Sequence, residues 1–185
     1  MWVGDGHVDD VLLQTSGNVC GPCCVGMVTN LLRRKQLSFE EIVRKAEGII
    51  SGSWSKAGAD RFYMEALLKR CGIKVTRTET TLAAVKSALR ESTLRTPRVA
   101  LVGVAPDIAG FKRERRVYHW VVFIHRQTNG LGRASTYTVL DPISPIRRQI
   151  TGSERYVSEV RGRPKGTQQA FASQSGPYEC VICCE

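Results

Sequence analysis

The sequence predicts an α+β protein, with an N-terminal helical half packed on a C-terminal antiparallel sheet. Apolar residues in the first half recur at helical spacing between capping and glycine signals. From Arg98 onward they instead form short β-branched runs of strand length, punctuated by Pro97, Pro106 and Pro142. Helices first and strands afterwards is the order of an α+β chain rather than of alternating βα units.

The first helix is expected from Cys20 to about Lys35, with Val25, Val28, Leu31 and Leu32 on one stripe. A second follows with clear start signals: Ser38 and Glu41 are spaced as a capping box, Leu37 and Ile42 can staple the entry, and Gly48 ends it. A Gly/Ser-rich loop holding Trp54 leads to a third helix from about Ala59 to Cys71, stopped by Gly72. Ile73 to Thr78 reads as a short strand, and Thr81 can cap a fourth helix carrying Leu82, Val85, Ala88 and Leu89. Then come strands at Arg98 to Val104, Val117 to His125, and Thr136 to Leu140, the last running into Asp141-Pro142. Asp107 to Arg116 reads as a basic loop between strands. Beyond Pro142 the periodicity fades, so the expected division is one domain over residues 1–160 and a flexible, cysteine-containing tail over 161–185.

The bulk numbers bound the function. At 185 residues the chain has room for one domain with a proper core. No apolar run approaches the roughly 20 residues that cross a bilayer, and the first residues lack the layout of a secretory signal. No membrane partner is therefore expected. The formal charge of +10 favours acidic partners. The basic residues are scattered and not interleaved with aromatics, so direct nucleic-acid binding is not expected. Seven cysteines, grouped as Cys20, Cys23, Cys24, then Cys71, then Cys180, Cys183, Cys184, fit a reducing compartment better than a disulfide framework.

The chemistry concentrates in the segment from Gln14 to Val28, which reads Gln-Thr-Ser-Gly-Asn-Val-Cys-Gly-Pro-Cys-Cys-Val-Gly-Met-Val. A cysteine where a loop turns into a helix sits in the positive field of the helix N-terminus, which stabilises its thiolate. Gly21 would let a substrate carbonyl approach the backbone, where the Cys20 amide points at a developing oxyanion. Gln14 can supply a second oxyanion donor. His119, flanked by apolar residues in Val-Tyr-His-Trp-Val-Val, is the candidate base, and Asp141 at the end of the next strand is the candidate residue that orients it. His7 lies in a polar leader and His125 at a strand end. Cys23 and Cys24 read as packing residues.

The Gln-x5-Cys-Gly opening, the helical half, the Pro-bounded strand, His-Trp-Val-Val and Asp-Pro together resemble the bacteriocin-leader peptidases that cut double-glycine leaders. The resemblance covers about Leu13 to Pro142 and implies a papain-like fold. It also implies that Gln14, Cys20, His119 and Asp141 serve as oxyanion donor, nucleophile, base and orienting acid, with no cofactor and no metal. With no transporter segments and strong basic charge, the chain is more similar to the papain-like toxin domains of bacterial polymorphic toxins. That resemblance implies a cysteine protease delivered into a target cell's cytoplasm, acting on an acidic or nucleic-acid-associated protein and held in check by an acidic immunity protein. The same triad serves glutamine deamidation or acyl transfer. A reading of another class takes Cys20-x2-Cys23 and Cys180-x2-Cys183 as a zinc-binding module. The last four residues do not fit a prenylation motif, and no role follows for the C-terminal cysteines.

Overall fold

A computed structural model describes residues 12, 19–49, 59–79, 89, 98–104, 119–128, 135–142, 148–151 and 180–185. Among the described residues three helices precede the strands: α1 (Cys20–Arg33), α2 (Phe39–Glu47) and α3 (Arg61–Arg70). The strands are β1 (Val75–Glu79), β2 (Val99–Val104), β3 (His119–Thr128), β4 (Ser135–Leu140), β5 (Arg148–Thr151) and β6 (Cys180–Cys184). They form one sheet in the order β1-β6-β2-β3-β4-β5, with every neighbouring pair antiparallel.

The helix boundaries follow their local chemistry. α1 stops at Arg33 because Arg34 turns left-handed at φ 50°. At α2 both halves of the capping box form: the Glu41 N–H donates to Ser38 Oγ and the Ser38 N–H donates to the Glu41 carboxylate. The α3 start is set by Asp60, whose carboxylate accepts from the Tyr63 N–H at 2.8 Å. Gly72 follows α3 at φ +76°, the left-handed region that glycine enters without strain.

The core lies between these helices and one face of the sheet. Ile182, Leu101, Val122 and Leu140 stand opposite one another in a row across β6, β2, β3 and β4, all buried. Val25, Met27, Val28, Ile42, Met64 and Leu67 cover this face from the helices. On the other face Cys183, Ala100, Phe123 and Val139 form a second row, equally buried. Burial on both faces explains why β2 is a continuous apolar run rather than an alternating one.

One expectation for the C-terminal region, the tail from residue 161, needs correction. Periodicity fades after Pro142, yet β5 pairs with β4 as an outer strand, where only a short paired stretch is needed. The residues assigned to a tail from 161 onward include β6, which lies inside the sheet between β1 and β2. Cys184 pairs with both Val75 and Val99, and Lys74 and Glu185 exchange backbone hydrogen bonds at 3.2 and 3.0 Å. A domain ending at residue 160 would leave that gap in the sheet. The fourth helix expected after Thr81 lies outside the described residues except for Leu89, which is helical and buried. The Trp54 loop, the 107–116 loop and residues 161–179 also lie outside them.

Candidate active site

Cys20 is the first helical residue of α1. The opening amides of a helix have no partner within it, and their dipoles sum to a positive field. Val19 precedes it without a side-chain cap, and the first turn carries no acidic residue to oppose that field. Burial alone would raise the Cys20 thiol, since Cys20 is only 4% exposed. That push is outweighed by the hydrogen bond and charge of His119 and by the backbone N–H groups of Trp120 and Gly21, all of which favour the thiolate. The net shift is downward.

His119 opens β3 and Asp141 directly follows β4. The β3–β4 register pairs Val122 with Leu140, and continuing it by one step sets Asp141 across from Val121. His119 is then a same-face diagonal neighbour of Asp141, a separation long side chains can bridge. The contact forms: His119 Nε2 lies 2.7 Å from Asp141 Oδ1, with both residues buried. With Nε2 engaged there, Nδ1 is the ring nitrogen left to face Cys20. Burial disfavours the imidazolium, but the Asp141 carboxylate and the Cys20 sulfur more than compensate, raising His119 to about 10. Thiol, imidazole and carboxylate are thus in one line of contact, with the proton drawn toward the ring.

Gly21 has a different role from the expected one. A Cβ placed there would stand 2.6 Å from Ala59 Cβ and 2.9 Å from Met64 Sδ. The glycine lets the α3 side of the core close against the start of α1; that direction is filled by protein and not open to a substrate. Trp120, read from sequence only as apolar flanking, proves central to the site. Its indole N–H donates to the Ala59 carbonyl at 2.7 Å, its own carbonyl accepts from Cys24 Sγ at 3.1 Å, and its N–H supports Cys20. Its adjacency to the histidine in His-Trp was the one available signal.

Cys23 and Cys24 are fully buried, as packing residues should be. Burial and the neighbouring Cys20 charge push Cys23 up to about 12 and raise Cys24 well above the ordinary thiol range. Cys71, Cys183 and Cys184 are buried as well. Among the described residues no group of three or more His, Cys, Asp or Glu could hold a metal ion, and no helix is long and apolar enough to cross a membrane. Gln14 and His7 lie outside the described residues, as do the side chains of His125 and Cys180. No protein-family model matches this chain, and no curated protein is significantly similar to it.

Proposed function

We propose that the chain is a cysteine-dependent amide hydrolase of papain-like type, with a peptide bond of a target-cell protein as its substrate. The observation that carries this reading is the buried Cys20–His119–Asp141 relay, with the sulfur at a helix start and its proton drawn to the imidazole. A thiolate poised in this way needs no further activation to attack a carbonyl.

In this mechanism Cys20 Sγ adds to the amide carbon and the carbonyl π electrons move to oxygen. In the first turn the Gly21 N–H supports the sulfur, Pro22 has none, and the Cys23 N–H donates to the Val19 carbonyl at 3.0 Å. The Cys20 N–H is the remaining donor of that turn for the oxyanion. His119 gives its proton to the departing amine, the C–N bond breaks, and a thioester remains on Cys20. Water, deprotonated by His119, then cleaves the thioester and restores the thiolate. Asp141 keeps Nε2 occupied throughout, which holds the ring orientation and stabilises its charged form.

Cys20→Ala is expected to abolish activity, whereas Cys23→Ala should keep it and cost only about 1–2 kcal/mol of stability. Iodoacetamide near neutral pH should label Cys20 before any other thiol; first labelling at Cys183 or Cys184 would sink the assignment. Incubating a bacterial lysate with the purified chain should generate new protein amino termini that Cys20→Ala does not generate. Conversion of glutamine to glutamate without new termini would move the reading to a deamidase.

The net charge of +10 and the resemblance to toxin domains support an effector setting with an acidic inhibitor. Wild type expressed in bacterial cytosol should then arrest growth while Cys20→Ala does not. Equal growth of both strains would remove the effector role and leave a housekeeping hydrolase.

A further inference from the structure

The first turn of α1 reads Cys20-Gly21-Pro22-Cys23, so two thiols stand three residues apart on a helix start. In a regular helix such residues have Cα atoms about 5 Å apart, within the roughly 4.4–6.8 Å that a disulfide spans. The intervening residues give up no intrahelical N–H bond if the bridge forms. Pro22 has no N–H to lose, and the Gly21 N–H is turned to the Cys20 sulfur rather than into the helix. Cys24, one position further, is differently placed, because its thiol is engaged with the Trp120 carbonyl at 3.1 Å. The Cys23 thiol has no hydrogen-bond partner among the described residues.

We infer that Cys20 and Cys23 form a peroxide-responsive dithiol, an oxidative modification site that closes as a disulfide across the first turn of α1 and reversibly masks the Cys20 sulfur. This goes beyond the hydrolase reading and does not depend on it, since it needs only two thiols one turn apart at the start of α1, with His119 beside Cys20. The oxidant class is a hydroperoxide. The Cys20 thiolate attacks one peroxide oxygen, the O–O bond breaks, and Cys20 becomes a sulfenic acid. The second oxygen leaves as hydroxide and takes the proton held on His119, giving water. The Cys23 thiol then attacks the Cys20 sulfur; the S–S bond forms, the S–O bond breaks, and hydroxide leaves with the Cys23 proton as a second water. One peroxide is reduced and two thiols are oxidised.

The electrostatics order these steps. While Cys20 is anionic its charge helps keep Cys23 protonated, so the two thiols do not compete for oxidant. Conversion of Cys20 to the neutral sulfenic acid removes that charge and eases Cys23 toward the thiolate when it is needed. A dithiol reductant reopens the bridge by exchange. The buried second thiol thereby guards the first against the irreversible sulfinic step.

The test uses the reduced full chain, a small excess of hydrogen peroxide, denaturing alkylation with iodoacetamide and mass mapping. The expected product has lost two hydrogens in the peptide bearing Cys20 and Cys23. Those two thiols should stay unalkylated until dithiothreitol is added, while Cys24 is alkylated throughout. In Cys23→Ala, dimedone should trap a sulfenic acid at Cys20, and recovery of Cys20 by dithiothreitol should fall by about tenfold or more relative to wild type. A bridge to Cys24, sulfinic acid accumulating in wild type, or an unmodified Cys20 would each overturn the inference. If Cys23→Ala does not fold, the wild-type mass map decides alone.

Discussion

The protonation of Cys20 is set by groups from separate stretches of chain: the ring of His119, the N–H of Trp120, and the N–H of Gly21. His119 in turn depends on Asp141, the strongest of the influences that raise it. The pH profile of the reaction follows from these directions. Activity needs the Cys20 thiolate, whose proton is lost below the ordinary thiol range, so activity should fall on the acid side only below that lowered value. It also needs protonated His119 as the acid for the leaving amine, so it should fall as pH rises through about 10. Asp141→Asn removes the carboxylate charge, so the imidazolium is lost at lower pH. The alkaline limb should therefore move down, with turnover reduced on the order of a hundredfold or more and the fold retained. Measuring kcat/KM against pH for both proteins checks this; an unmoved alkaline limb would detach Asp141 from His119.

At the scale of the element, α1 combines two demands that its sequence must meet in one turn. The helix start has to present Cys20 to β3, and the same turn has to let Ala59 and Met64 close against it. A side chain at position 21 would meet Ala59 Cβ, which cannot swing away. Gly21→Ala should therefore destabilise the protein by about 1–3 kcal/mol, the cost of overpacking a closed core. It should also lower reactivity by tilting the Cys20 turn off Trp120. Urea unfolding together with the iodoacetamide rate at Cys20 would show both effects. A loss of stability with an unchanged alkylation rate would separate the packing of Gly21 from the alignment of Cys20.

For the whole molecule, the sheet is completed by the far end of the chain. Among the described residues β1 joins the sheet through β6 alone, and β6 bridges it to β2. Ile182 is fully buried in the row that carries Leu101 and Val122. Ile182→Ala should cost about 2–5 kcal/mol in urea unfolding. Deleting residues 180–185 should do more, detaching β1 and exposing the inner edge of β2, and should remove the cooperative transition. A truncated chain that unfolds at the wild-type urea midpoint would show that β6 is dispensable.

How much was legible in the sequence follows the range of the forces involved. The capping box of α2, the Gly72 exit of α3, and the apolar stripe of α1 act over three or four residues, and their signals stand in the sequence itself. Cys20, His119 and Asp141 were readable as candidates because each is a reactive residue at the end of a recognisable element. Their convergence, to 2.7 Å in the case of His119 and Asp141, depends on a strand register that turns and core packing decide together. β5 and β6 left little trace because a strand's partner, not its composition, makes it a strand. The packing role of Gly21 and the hydrogen bonds of Trp120 belong to the same class, since each is defined by residues tens of positions away. The sequence by itself determined the helices, the α+β order and the reactive side chains. Only the tertiary structure decided which strands pair and how α1 meets β3, because those contacts form between segments that have no local reason to meet.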